Sequence, residues 1–155
     1  MLLDISETLR QYLVDAIPGA TVKVGAISDL AGKASVKTLM LVLYEVGDAG
    51  ELRTAPGRMA PDAKDRVALR LQYLVTGHGL SADETQQRLS QTLDAFHEHP
   101  VFAGAELHST LANRVERLTV QLRSTSLDDL HDLWTAFGAG MKLALYYEVN
   151  AQPPP

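Results

Sequence analysis

The sequence has no cysteine, which removes disulfides, thiolate metal sites and a cysteine nucleophile from consideration. It has no basic excess either: 14 Lys and Arg stand against 19 Asp and Glu, for a net charge of −5. Proteins that bind nucleic acid generally need a basic surface to neutralise phosphate, so that role is excluded as a general one. The basic residues are scattered, with small groups at Lys33/Lys37, Arg53/Arg58 and Arg114/Arg117. No run approaches the roughly 20 apolar residues of a membrane helix. The opening Met1-Leu2-Leu3-Asp4 turns acidic too soon for a secretory signal. Neither a nucleic-acid nor a membrane partner is expected. The glycines never fall into a Gly-x-Gly-x-x-Gly or Walker spacing, and there is no Gly-x-Ser-x-Gly elbow.

What is present is an ordinary globular interior: 155 residues, 46% hydrophobic, enough for one core and too few for two. We assign residues 1–150 to a single domain and 151–155 to an extended proline tail, because proline has no N–H for a sheet ladder. Ile5, Leu9, Tyr12, Leu13 and Ala16 recur at helical spacing, with Asp4 and Glu7 as an N-cap pair and Pro18-Gly19 as the stop. Residues 21–27 suit a short strand, followed by a loop to Lys37. Residues 38–46 (TLMLVLYEV) are nearly all apolar and suit a strand covered on both faces along part of its length. Residues 47–66 have no period and are broken by Gly47, Gly50, Pro56-Gly57 and Pro61, which predicts a long loop. Val67, Leu69, Leu71, Tyr73 and Val75 face one way, with Arg70, Gln72 and Thr76 opposite, giving a half-buried strand.

Ser81-Ala82-Asp83-Glu84 forms a capping box for a helix carrying Leu89, Leu93 and Phe96, stopped by Pro100. Leu118, Val120 and Leu122 alternate as another strand. Ser126 caps a helix through Leu130, Leu133, Trp134 and Phe137, closed by Gly138. Met141 to Val149 supplies the last alternating strand. The expected fold class is α+β: a four- to five-stranded mixed, mostly antiparallel sheet with three helices packed mainly on one face. The other sheet face would carry Arg70, Gln72, Thr119, Gln121, Lys142 and Glu148.

The candidates for chemistry have plainer explanations. His97 and His99 are two apart, so on a helix they point about 200° from each other and cannot share an ion. Asp128, Asp129 and Asp132 occupy the first turns of a capped helix, where acids suit the helix dipole. Trp134 belongs to an apolar stripe. His78, between Gly77 and Gly79, has no orienting partner that would make it a base. No catalytic residue, cofactor or metal ligand is assigned, and no enzyme is expected.

Two stretches carry a resemblance. One runs Met59-Ala60-Pro61, then Val67 to Thr76, Glu84, Arg88-Leu89, Leu93 and Phe96 to Val101. The other runs Ser126 to Trp134, Phe137-Gly138 and Met141 to Val149. With the opening helix and Leu41 to Val46, they resemble the amino-terminal domain of the tail terminator, or cap, proteins of extracellular contractile injection systems. These are the phage-tail-like particles of the antifeeding-prophage and virulence-cassette kind. Better-known members are longer, with a further carboxy-terminal region, and tend to carry a proline pair where this chain has the single Pro61.

The resemblance implies a structural subunit that assembles in the bacterial cytoplasm and caps the distal end of inner tube and sheath, ending their polymerisation. It implies three partners: copies of itself in a ring of about six, the inner tube protein and the sheath protein. Candidate contact residues are Arg53, Arg58 and Lys64 in the long loop, Arg70, Gln72 and Lys142 on the polar sheet face, and Gln152 and Pro153 in the tail. The alternatives are a small-molecule-binding or enzymatic α+β domain, and the terminator or completion protein of a true phage tail.

Overall fold

The computed structural model describes residues 1–52 and 68–154. Six strands form one sheet: β1 (Val22–Gly25), β2 (Thr38–Asp48), β3 (Leu69–His78), β4 (Val101–Ala103), β5 (Arg117–Leu122) and β6 (Ala144–Gln152), in the order β1-β2-β3-β6-β5-β4. Only β1 and β2 are parallel; every other pair is antiparallel. The helices are α1 (Leu2–Ala16), the single turn α2 (Ile27–Leu30), α3 (Ala82–Glu98) and α4 (Leu127–Phe137). The fold is therefore mixed α+β as expected, with six strands where four or five were predicted.

The helices divide between the faces. On the first face Ile5, Leu9 and Leu13 of α1 and Leu89, Ala95 and Phe96 of α3 pack on Leu39, Leu41, Leu71, Tyr73, Val75, Leu118, Val120, Tyr147 and Val149. On the second face Leu30 of α2 and Trp134 of α4 pack on Met40, Val42, Leu74 and Tyr146. So α4 lies opposite α1 and α3, where the sequence suggested a mainly one-sided arrangement. Period-2 alternation shows that a strand has two faces, but it does not say which one a given helix will cover.

A bulge in β2 decides what the far half of the sheet presents. Leu43 pairs with Tyr73, but Glu45, not Tyr44, pairs with Gln72, so Tyr44 is the extra residue. An unbulged strand would aim Glu45 into the α1/α3 core, because side-chain parity is fixed at two. The extra residue instead puts Glu45 beside Gln72 and turns Val46 toward Leu71.

The local signals behave as their chemistry requires. Ser81 Oγ accepts from Glu84 N–H and Ser126 Oγ from Asp129 N–H, each at 3.2 Å. Gly138 closes α4 at φ 68°, in the left-handed region that suits glycine. The Asp4–Glu7 cap is not formed. The helix begins at Leu2 with Met1 as N-cap, and Asp4 binds the amino terminus and His108.

Two boundaries also differ from the sequence reading. Gly47 pairs with Arg70 and Asp48 with Leu69, so β2 extends into the expected loop, and residues 50–52 form a 3-10 turn. At the other end Ala151 pairs with both Leu69 and Leu118, and Gln152 pairs with Arg117. Those two residues belong to the sheet. The ladder stops only at Pro153, the first residue unable to donate.

Candidate functional site

Where α4 ends its coverage, the second face of the sheet turns polar along successive cross-strand rows. The rung Val42–Leu74–Tyr146 is apolar and covered. The next is Glu45–Gln72–Glu148–Gln121, and the one after is Gly47–Arg70–Asn150–Thr119. Residues directly opposite on one face lie about 5 Å apart, so such rungs form shared hydrogen-bond networks.

That network is tied together. Gln72 Nε2 donates to Glu148 Oε2 at 3.0 Å, while its Oε1 accepts from Arg123 at 2.8 Å. Arg70 Nε lies 3.5 Å from Glu148 Oε1, and a terminal nitrogen of Arg70 bonds Glu51. Gln72 is only 5% exposed although it carries an amide, which is tolerable because both ends of that amide are bonded. The arginines are therefore held in place, with their charge balanced by Glu51 and Glu148.

Among the predicted contact residues, the structure brings Arg70 and Gln72 together on this shelf. Gln152 stands at its margin, where its Oε1 accepts from Arg117 Nε at 2.8 Å. Pro153 is buried. Lys142 is elsewhere: β6 begins at Ala144, and the Lys142 ammonium lies 3.4 Å from His78 Nδ1 at the opposite end of β3. The shift of His78 is downward, chiefly from burial, then from the charge of Lys142, with Lys23 adding to it and Asp29 opposing it. Arg53, Arg58 and Lys64 lie outside the described residues. Glu51, Arg123 and Glu45 complete the shelf without having been singled out, although Arg123 continues the polar alternation of β5 and could have been.

The other chemical candidates resolve structurally. His99 leaves α3 as its C-cap and pairs with Glu106 at 2.6 Å between the rings of Tyr12 and Phe102. Among the described residues no group of three or more His, Asp or Glu side chains is arranged to hold a metal ion. Trp134 is buried and its indole N–H donates to Tyr146 Oη at 2.7 Å. No helix of the described residues is long and apolar enough to cross a membrane.

Comparison with known proteins now has a fold to attach to. The Pvc16 N-terminal domain family matches residues 4–153. The chain belongs to this family. No curated protein matches it significantly. Among solved structures it is similar to the PVC sheath/tube terminator of an extracellular contractile injection system in its extended state. That likeness has a TM-score of 0.67 at 18% identity and covers all of this chain and 57% of the other. It is also similar to the anti-feeding prophage cap, a tube-terminating cap, at TM-score 0.68 and 21% identity, covering all of this chain and 56% of that one. This member of the Pvc16 N-terminal domain family thus spans somewhat over half the length of those two proteins. At such identities the likeness establishes the shared fold.

Proposed function

We propose that this chain is a structural cap subunit of a phage-tail-like contractile injection system. In this reading it closes the distal end of the inner tube and sheath and halts their growth. The carrying observation is the family match, which spans nearly every element of the fold. Both structural neighbours are terminators of tube or of sheath and tube. The physical reading agrees: a six-stranded platform offers a pre-bonded polar shelf, and His99 and His108 are engaged in pairs with Glu106 and Asp4. Its role is non-enzymatic, its partners are the tube protein, the sheath protein and copies of itself in a closed ring, and it assembles in the cytoplasm before joining the particle.

The shelf around Arg70, Gln72 and Glu148 is the surface best suited to a partner. Its side chains are already ordered, so docking costs little further side-chain entropy. Arg53, Arg58, Lys64 and the residues beyond Val149 remain proposed contacts with the tube rim or sheath. The test is a strain lacking the gene, imaged for particle length. Aberrantly long or unstable tubes are expected, and particles of normal length and stability would end the proposal. Arg70→Glu should reproduce part of that defect while leaving the purified protein folded.

A further inference from the structure

Opposite edges of the sheet carry opposite charges at the same end of the molecule. The rung Gly25–Val42–Leu74–Tyr146 runs on to Arg123, whose N–H donates to Tyr146 O at 2.8 Å. It therefore links β1 at one edge to the end of β5 near the other. The two ends are about 19 Å apart across four strand spacings.

On the β1 side lies an open trough of about 590 Å³, walled by Lys23, Ser28, Lys33, Val36 and His78 with Met40 among its lining. Its outer wall, residues 31–37, is seated against Gly79, where φ is +74° and a Cβ would stand 2.7 Å from that of Ala34. Lys23 and Lys33 are exposed and have no ion-pair partner among the described residues. Lys142 adds a third positive charge behind His78. The one acid of the trough, Asp29, is occupied by the Ala26 N–H at 2.9 Å. In a chain of net charge −5 this is a local positive basin with an apolar wall, since Val36 is 60% exposed.

The β5 side is its complement. Leu127 is 74% exposed at the start of α4, and Asp128, Asp129 and Asp132 follow on the surface without ion-pair partners among the described residues. The edge strand β4 pairs only with residues 117–119 of β5, so that end of the sheet edge is not covered by it.

We infer that the start of α4 in one copy, Leu127 with Asp128 and Asp129, docks in the Lys23–Lys33 trough of the next copy. The contact is heterologous: knob and trough are different surfaces at opposite edges, so each copy uses both, and a rotation that closes gives a ring. A ligand for the trough must bring carboxylates and one apolar group on a short projection, which the α4 knob supplies. This inference rests on the cap reading above and adds to it which surfaces mate.

The test exchanges charges on the 155-residue chain. Lys23→Glu/Lys33→Glu and Asp128→Lys/Asp129→Lys variants are sized by sedimentation and native mass spectrometry, alone and mixed. Each alone should weaken self-association by about 100-fold or more, because like charges then face each other. Mixed in equal amounts they should associate again in alternation, since every knob then meets an opposite trough. A carbodiimide cross-link between Lys33 and Asp129 of different wild-type molecules is also expected. Variants that associate like the wild type, or mixtures that stay apart, overturn the inference. So does a wild-type chain that is monomeric at millimolar concentration and gives no such cross-link. Particle length in the deletion strain judges the cap reading separately, so the contact can fail while the cap stands.

Discussion

Tyr146 and Tyr147 are neighbours in β6 that face opposite sides of the sheet, and their surroundings summarise how the two sides differ. Tyr147 enters the aromatic core beneath α3, its ring 4.9 Å from Phe96. Its buried hydroxyl finds no hydrogen-bond partner among the described residues, and burial raises its pKa. Tyr146 meets α4, and its hydroxyl accepts from Trp134. The α1/α3 side is the larger apolar core; it holds the buried Ser6–Tyr73 bond as well as the orphan Tyr147 hydroxyl. The α4 side is smaller, specified by a directed bond, and gives way within one rung to the polar shelf. The larger core and the exposed polar shelf thus lie on different faces.

The sharpest way to break this contrast is Phe96→Ala, which opens a cavity under three aromatic neighbours. A loss of about 3–5 kcal/mol is expected in denaturant unfolding; a loss below 1 kcal/mol would mean that this side is not the main core. Tyr146→Phe removes the acceptor of the buried indole N–H and should cost about 1–3 kcal/mol. Tyr147→Phe, by contrast, discards an unpaired hydroxyl and should be neutral or slightly stabilising. Equal costs for the two substitutions would erase the proposed difference between the faces.

On the shelf, Gln72→Ala should cost roughly 1 kcal/mol by unlinking Arg123 from Glu148. Denaturant midpoints of this variant and of Arg70→Ala, whose side chain is 41% exposed, should rank them in that order.

Titration adds effects that depend on pH. Tyr73, bonded to Ser6 at 2.8 Å, has its pKa pushed from 10.0 up to about 12 by burial. The unfolded chain therefore loses this proton first, and stability should fall as pH rises from about 10 towards 12; Tyr73→Phe should flatten that decline. For His78 the sign is reversed. Its lowered pKa means that the unfolded state binds the proton more readily, so its contribution to stability declines as pH drops through the ordinary histidine range. Lys142→Gln should move the His78 midpoint upward by NMR, though burial, the larger cause, remains.

Much of this architecture was legible in residue spacing. α1, α3 and α4 declared themselves by apolar stripes and by the caps Ser81 and Ser126, and β2, β3, β5 and β6 by composition or alternation. β4 escaped notice because three residues with one buried side chain carry too little pattern, and α2 because it is a single turn. β6 was predicted to start too early, since Met141 and Leu143 continue its alternation. Both remain about half exposed, and the Thr76 hydroxyl takes the Leu143 carbonyl at 2.8 Å where a ladder bond would have been.

The shelf was half visible. Arg70 and Gln72 follow from parity in β3, but Glu45 required the bulge at Tyr44, and nothing in a run of apolar residues signals an inserted one. Arg123 continues the polar alternation of β5, but its bond to Gln72 is visible only in the structure.

The strand order β1-β2-β3-β6-β5-β4 has a consequence for how the molecule is made. Each half of the sheet comes from one continuous stretch of chain, with α3 as the only helix between them, and the halves meet along β3 and β6. As the polypeptide leaves the ribosome, β3 has no neighbour on its inner flank until β6, the last strand, emerges. The centre of the finished platform is therefore a late seam, closed by residues far apart in sequence, and its closure should be the slow step of folding. Until then a hydrophobic strand margin is bare and prone to pair with the wrong chain. A mutation that weakens β6 should thus reduce the yield of soluble subunit more than its effect on the melting of the folded protein would suggest.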